Sequence, residues 1–392
     1  AALDMARYEA LCEQLAAQVS LTAERGGEHA DHPICGDASC NKHGASLTDW
    51  VGVSELSDDM EEGYYYLTGP VTRTSTWYPK DGVVLCLNGY SISMDVKNSN
   101  NDSTICVNGG VTFTLCDCQN KGTVTHGMNG AARYTGSGVW VENGNGAGKA
   151  NFVLYSGSIS GNEYDNASIK FGAGVHLGAN ASFTMHGGSI SGNKTAGYGG
   201  GVYVQAGTTS FTMTGGTITG NSAGHDGGGV YVKNGSFTMT GGTIRSCTAT
   251  AGHGGGICSV RQLHISGSAV VTDCKAGGSY ASSGAMLISP DSTYTAIIAG
   301  GTFDGNVVNN KSTTITGGTF SGQVQNSGVI ENGQFNGAVN NYEGTIKGGT
   351  FNGSVKNEND YDDGVLRRAG TISGGTFNGT VTNEAAGRIS GG

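Results

Sequence analysis

Proline is nearly absent from this chain, at 4 of 392 residues, and only 13% of residues are charged. Collagen needs glycine at every third position with abundant proline, so the 71 glycines here belong to something else. Disordered chains are also poor in apolar residues, whereas Val, Ile and Phe recur regularly here. There is no basic run. Lys and Arg number 21 against 31 Asp and Glu, and the net charge is −10, so nucleic acid and anionic membrane surfaces are not expected partners. No apolar run reaches the roughly 18 residues of a membrane span. Ala1–Arg25 has no continuous apolar stretch of the kind an export signal carries.

What is present is repetition. Phe211–Val232 reads FTMTGGTITGNSAGHDGGGVYV, and its parts recur at Phe152–Asn162, Phe183–Asn193 and Phe237–Cys247. GGGVYV stands at Gly199–Val204 and again at Gly227–Val232. The leading aromatic returns at Phe152, Phe183, Phe211 and Phe237, at intervals of 31, 28 and 26 residues. Each unit holds three short strand-like pieces separated by glycine turns, which describes one coil of a parallel β-helix. Alternation points Phe211, Met213, Val202 and Val204 inward, and Thr212, Thr214 and Tyr203 outward. Asn162, Asn193 and Asn221 close the second piece of successive units and are expected to stack into a ladder of side-chain amides. Cys247 and Cys274 take that place in the next two units, where either a disulfide or a pair of thiols fits.

Beyond Ile297 the period shortens. The pattern Ile-x4-Phe-x3-Val-x-Asn fits at Ile298, Ile315, Ile330, Ile346 and Ile372, and predicts a narrower solenoid on the same axis. The last interval is lengthened by an acidic insert, Glu358–Arg368, read as a solvated loop in preference to a Ca²⁺ site, because Asp360, Asp362 and Asp363 match no complete loop motif. The expected organisation is a helix or linker at 1–26 and a Cys/His segment at 27–47. A wide parallel β-helix with an N-terminal cap then covers 48–299, and narrower repeats cover 300–392. Arg388–Gly392 (RISGG) restates Thr371–Gly375 (TISGG), so the chain reads as part of a longer array.

Three groups of residues invite a chemical reading. His32, Cys35, Cys40 and His43 offer four soft or borderline ligands within twelve residues, suited to a tetrahedral structural zinc, with Asp37 and His29 as substitutes. A Cys35–Cys40 disulfide with bystander histidines is the other reading. Trp140, His176, Tyr203 and Tyr231 occupy one place in GVWV, GVHL, GVYV and GVYV, and are expected to form an outward aromatic stripe on which a sugar ring or protein partner could stack. Tyr198, His225 and His253 form a second candidate column in the turn before that strand. The Cys-x-Cys pair, Cys116 and Cys118, is read as core filling in preference to a metal site. Carboxylates for general acid–base work are scattered: Glu163, Asp165, Asp226 and Asp273 do not repeat in register, and Arg245 and Arg261 have no acidic cluster nearby.

The GGxIxGN and GGGVYV units resemble the right-handed parallel β-helix proteins of the pectate-lyase-like superfamily. With His32–His43, Tyr64–Thr68 (YYYLT), Val84–Gly89 (VLCLNG) and Leu115–Cys118 (LCDC), the chain more narrowly resembles large repetitive surface proteins of gut Firmicutes. The resemblance implies an extracellular, adhesin-like protein that meets a glycan or a host surface protein, and it carries over no catalytic residue. A polysaccharide-degrading lyase or glycoside hydrolase is the competing expectation.

Overall fold

The computed structural model describes residues 50–95, 103–126, 136–144, 148–164, 171–278, 283–290, 293–362, 365–384 and 386–391. The expected N-terminal helix and the His32, Cys35, Cys40 and His43 segment lie outside the described residues. Within them the fold is all-β, a parallel β-helix. No helix is present among the described residues, and so none is long and apolar enough to cross a membrane.

One coil shows how the chain winds. Ala181–Met185 lies on the first face, Ser189–Ser191 on the second, Lys194–Thr195 at a corner, and Val202–Val204 on the third. Ser210–Met213 then returns to the first face, directly beside Ala181–Met185. Stacked coils build a 15-stranded first sheet, 13-stranded second and third sheets, and a five-stranded corner sheet. All coil-to-coil pairing is parallel. The exception is the acidic insert, which is a hairpin instead of a loop: Val355–Asp362 extends past its partners and Val365–Ala369 folds back antiparallel.

Glycine sets one turn of every wide coil. Gly188, Gly216 and Gly242 follow the first-face strand with φ of +76°, +81° and +82°. A Cβ at Gly216 would approach the Gly187 backbone and the Met185 methyl to between 2.6 and 2.8 Å, so both conformation and space exclude other residues.

The interior is a bundle of like-with-like columns. Trp77 meets Phe113 edge-on at 5.3 Å. Phe113, Phe152, Phe183, Phe211 and Phe237 follow as a parallel stack, with ring separations tightening from 5.9 to 4.6 Å. The coils before Phe152 carry short apolar strands at Val83–Cys86, Ile105–Val107, Thr112–Cys116 and Val139–Val141.

The narrow coils are not shortened copies of the wide ones. The corner sheet ends at Lys275–Ala276, and from Thr302–Phe303 the chain passes straight from second to third face. The phenylalanine column changes sheet at this point. On the first face Phe237 pairs with Leu263 and then Ala296, whereas Phe303 pairs with Val271 on the second face and starts a new stack through Phe320, Phe335, Phe351 and Phe377. The corner is lost where the ring moves: the second face carries phenylalanine in narrow coils, where wide coils carry Ile159, Ile190, Ile218 and Ile244.

The asparagine column moves as well. In wide coils Asn162, Asn193 and Asn221 are buried where the second face turns into the corner, and each Nδ2 donates to the next Oδ1 at 2.9 Å. Backbone N–H groups of Asn162 and Asn193 donate to the same oxygens. The next member is Cys247, 3.9 Å from the Asn221 amide. In narrow coils Asn309, Asn326, Asn341 and Asn357 are buried at the end of the third face, one place where wide coils carry Val204 and Val232. Their amides chain together at 2.5 to 2.7 Å and cap the turn carbonyls of Gly328, Gly344 and Gly370.

A buried amide ladder is costly to interrupt, because its neighbours lose partners and remain desolvated. Asn326→Ala should destabilise the protein by about 3 kcal/mol, whereas Asn352→Ala, in an exposed ladder, should cost less than about 0.5 kcal/mol. Urea unfolding of the two variants beside wild type checks the contrast; equal losses would mean that the buried ladder adds no more than the exposed one.

Candidate binding surfaces

The aromatic stripe forms in the expected register: Trp140 pairs with His176, His176 with Tyr203 and Tyr203 with Tyr231. It is not an open platform. His176 is fully buried, Tyr203 is 3% and Tyr231 8% exposed, and Trp140 is half-buried. The reason is the long turn from second to third face, which folds back across the sheet. Phe171 meets Trp140 edge-on at 4.9 Å and His176 at 4.7 Å, and Tyr198 stacks on Tyr231 at 4.8 Å. Cys258, Leu287 and Val308 extend the same packing toward the narrow coils. The stripe is a second core outside the main one. An open stripe was expected because alternation reports which way a side chain points and not what lies over it. The signal was nevertheless in the sequence: Phe171 and Tyr198 each stand five residues before an outward aromatic, His176 and Tyr203.

His176 is held as a neutral imidazole. The Gly172 N–H donates to Nδ1 at 3.3 Å, which places the ring proton on Nε2, 2.7 Å from Gln205 Oε1. Burial lowers its pKa to about 3, against a smaller raising effect of the Gln205 hydrogen bond. The Tyr203 and Tyr231 phenols are pushed above their ordinary range, chiefly by burial. In the second candidate column Tyr198 stacks on His225 at 5.1 Å, and the His253 N–H donates to Asp226 Oδ1 at 2.8 Å.

The catalytic candidates do not converge. Glu163 pairs with Lys194 at 3.0 Å. Asp226 holds the His253 backbone, and Asp273 adopts φ of +54° at a turn. Arg261 donates to Asn234 and lies over the Tyr294 ring, while Arg245 is exposed on the second face. Asp165 lies outside the described residues.

Two other features stand out. The first is the outward side of the second face. Its columns run from Thr123 and Thr125, through Ser158 and Ser160, to Thr376 and Asn378. Every outward position between them is Ser, Thr, Asn or Gln except Arg245, Val270 and Asp304. These side chains are half-buried in wide coils and largely exposed in narrow ones. Some bond along the axis, as Asn336, Asn352 and Asn378 do at 2.8 Å. Adjacent rungs stand about 4.8 Å apart, so the face offers two files of neutral donors and acceptors at a fixed repeat.

The second feature is a sulfur cluster on the outer side of the first face. Cys86 and Cys116 pair across adjacent coils and are buried with Trp50, beside half-buried Tyr66, Val84, Cys118 and Tyr155. The Cys-x-Cys sulfurs thus fill a small cluster of their own and not the main interior, where Leu85 and Leu115 point instead. Cys86 Sγ, Cys118 Sγ and an Asp117 carboxylate oxygen lie within 4.8 Å of one another, close enough to hold a metal ion. No protein-family model, curated protein or solved structure matches the chain.

Tyr231→Ala should remove a packed ring from the second core and destabilise the protein by about 3 kcal/mol, read as a lowered unfolding midpoint; an unchanged midpoint would mean that the layer above the third face contributes nothing. A pH dependence follows from His176. Above pH 6.5 the group is neutral in folded and unfolded chains alike. As pH falls from about 6.5 toward 3, the unfolded chain takes up a proton that the folded protein refuses, so stability is lost on acidification. Burial shifts His186 in the same direction. Between pH 7 and pH 5 wild type should lose about 2 kcal/mol more than His176→Gln. Urea titrations at the two pH values measure the difference, and parallel losses would exclude a neutral buried imidazole.

Proposed function

We propose that this chain is a noncatalytic, extracellular adhesin-like rod that presents the outward side of its second face to a polysaccharide. The extracellular setting follows the resemblance to repetitive surface proteins of gut Firmicutes. One observation carries the binding reading: the long double file of neutral hydroxyl and amide side chains from Thr123 to Asn378, interrupted only at Arg245, Val270 and Asp304.

That chemistry favours a glycan over a protein partner. Protein interfaces draw most of their affinity from buried aromatic and arginine anchors, and the second face offers a single arginine and no aromatic side chain in these files. Sugar hydroxyls are both donors and acceptors, as Ser, Thr, Asn and Gln side chains together are. Each contact is weak, because it exchanges a hydrogen bond to water for one to the ligand. An extended polysaccharide can engage many rungs at once, and affinity then comes from multivalency. Binding of this kind depends little on salt, since almost no charge takes part. The scattered carboxylates argue against the lyase or hydrolase alternative, because such chemistry gathers its acids at one place.

The test is binding to an array of plant, mucin and microbial polysaccharides in 50 mM and 500 mM salt. Thr217→Arg combined with Thr319→Arg places two bulky charged side chains in one file. Binding should fall at least about tenfold, while Thr212→Arg with Thr238→Arg, on the first face, leaves it unchanged. Retained binding in the second-face variant, or no binding to any polysaccharide, would sink the proposal. Release of oligosaccharide products in the same incubation would assign an enzyme instead.

A further inference from the structure

The sulfur cluster on the first face has a built environment that simple packing does not call for. Cys86 ends the strand Val83–Cys86, and Cys116 ends Thr112–Cys116 in the next coil. Cys118 follows in the turn. Two backbone N–H groups, from Asn88 at 3.3 Å and Cys118 at 3.4 Å, are aimed at Cys86 Sγ. A neutral thiol is a weak acceptor and gains little from this. A thiolate gains much more, and N–H···S bonds of this kind orient and stabilise metal-bound thiolates.

The turn is rigid for a reason that also settles the ligand set. The Asp117 carboxylate accepts four backbone N–H groups: Gly89 and Gln119 at Oδ1, Lys121 and Gly122 at Oδ2, at 2.6 to 3.2 Å. Its lone pairs are committed to the turn, so it is a scaffold for the sulfurs and a poor metal ligand itself. Cys116, paired with Cys86 in the next coil, packs beside the two sulfurs and donates to the Leu85 carbonyl at 3.5 Å. Trp50, Tyr66 and Tyr155 wall the cluster, and half-buried Cys118 leaves a route in.

We propose that Cys86 and Cys118 form a binding site for a soft, thiophilic cation, with monovalent copper as the type ion. Metal–sulfur bonds near 2.3 Å bridge two sulfurs up to about 4.6 Å apart, which the Cys86–Cys118 separation of no more than 4.8 Å approaches. Structural zinc takes four ligands, and with Asp117 engaged two sulfurs remain at this cluster. Thiolate-only, low-coordinate sites select copper(I). On binding, each S–H bond breaks as an S–Cu bond forms, one proton leaves to solvent per ligating thiol, and no electron moves.

The test uses the full chain, reduced and under anaerobic conditions, titrated with Cu(I) against a chromophoric Cu(I) chelator. Cys86→Ser with Cys118→Ser should bind one fewer equivalent than wild type. Cys247→Ser with Cys274→Ser should bind as many as wild type, which separates this cluster from the other buried cysteine pair. X-ray absorption of the loaded protein should show sulfur-only ligation. If circular dichroism shows the double variant unfolded, Cys118→Ser alone, at the half-buried position, should weaken the tightest site by at least about tenfold. An unchanged copper count and affinity in a folded variant would overturn the proposal. So would failure of reduced wild type to take up copper at this cluster, leaving Cys86 and Cys118 as a disulfide-forming pair only.

Discussion

Every coil of this protein depends on its neighbours for backbone hydrogen bonds. A buried N–H or C=O must be paired, and strands of two to five residues have no partners within their own coil. On the faces the parallel ladders supply those partners. Many turn groups also bond from coil to coil, and at one turn of most coils an asparagine column adds to them. Each amide both donates and accepts, so it can bond to the coil above, the coil below and its own turn at once. Asn341 does all three: it accepts from Asn326, donates to Asn357 Oδ1, and donates to the Gly344 carbonyl of its own turn at 2.9 Å. The column thus ties the corner it runs through to the coils on either side.

The shape of the rod follows from where that column is placed. With asparagine between the second face and the corner, the chain has a protected place to bend and continues through an extra strand and a long turn. With asparagine at the end of the third face, the bend comes there, the corner strand disappears and the coil shortens. The core has to change with it. Valines that pointed inward at Val204 and Val232 give way to Asn309 and its successors, and the lost volume returns as phenylalanine on the second face. Turn chemistry and core volume therefore shift in the same coils, as mutual consistency between local and global structure requires.

Much of this was legible in the residues. Repetition at fixed intervals is direct evidence of stacking, and alternation assigns Phe211, Met213 and Val230 to the interior without further information. What could not be read was anything set by contact between different parts of one coil. The move of the phenylalanine column from first to second face was hidden, because a repeat pattern carries no label for the face it lies on. The covering of Trp140, His176, Tyr203 and Tyr231 was hidden because period-two patterning separates two sides of a strand but does not say whether the outer side meets water. The acidic insert looked like a loop because charge dominated its composition, yet its backbone continues the third-face strand and folds back on it.

A fold made of near-identical coils places function in one of two kinds of site. One kind uses the repeat itself, so that many weak, equivalent contacts add along the axis. The neutral double file proposed as the polysaccharide surface is of that kind. The other kind occurs where the repeat is broken. Around Cys86 the coils are irregular: the turn from first to second face is anchored by a buried carboxylate, and sulfur stands where later coils carry Tyr155, His186 and Thr214. A buried aspartate saturated by four N–H groups holds its turn more tightly than packing alone would. That rigidity contributes little to a rod already held by its ladders. It matters where the atoms beside it must keep a set separation, which is what metal ligation demands of Cys86 and Cys118.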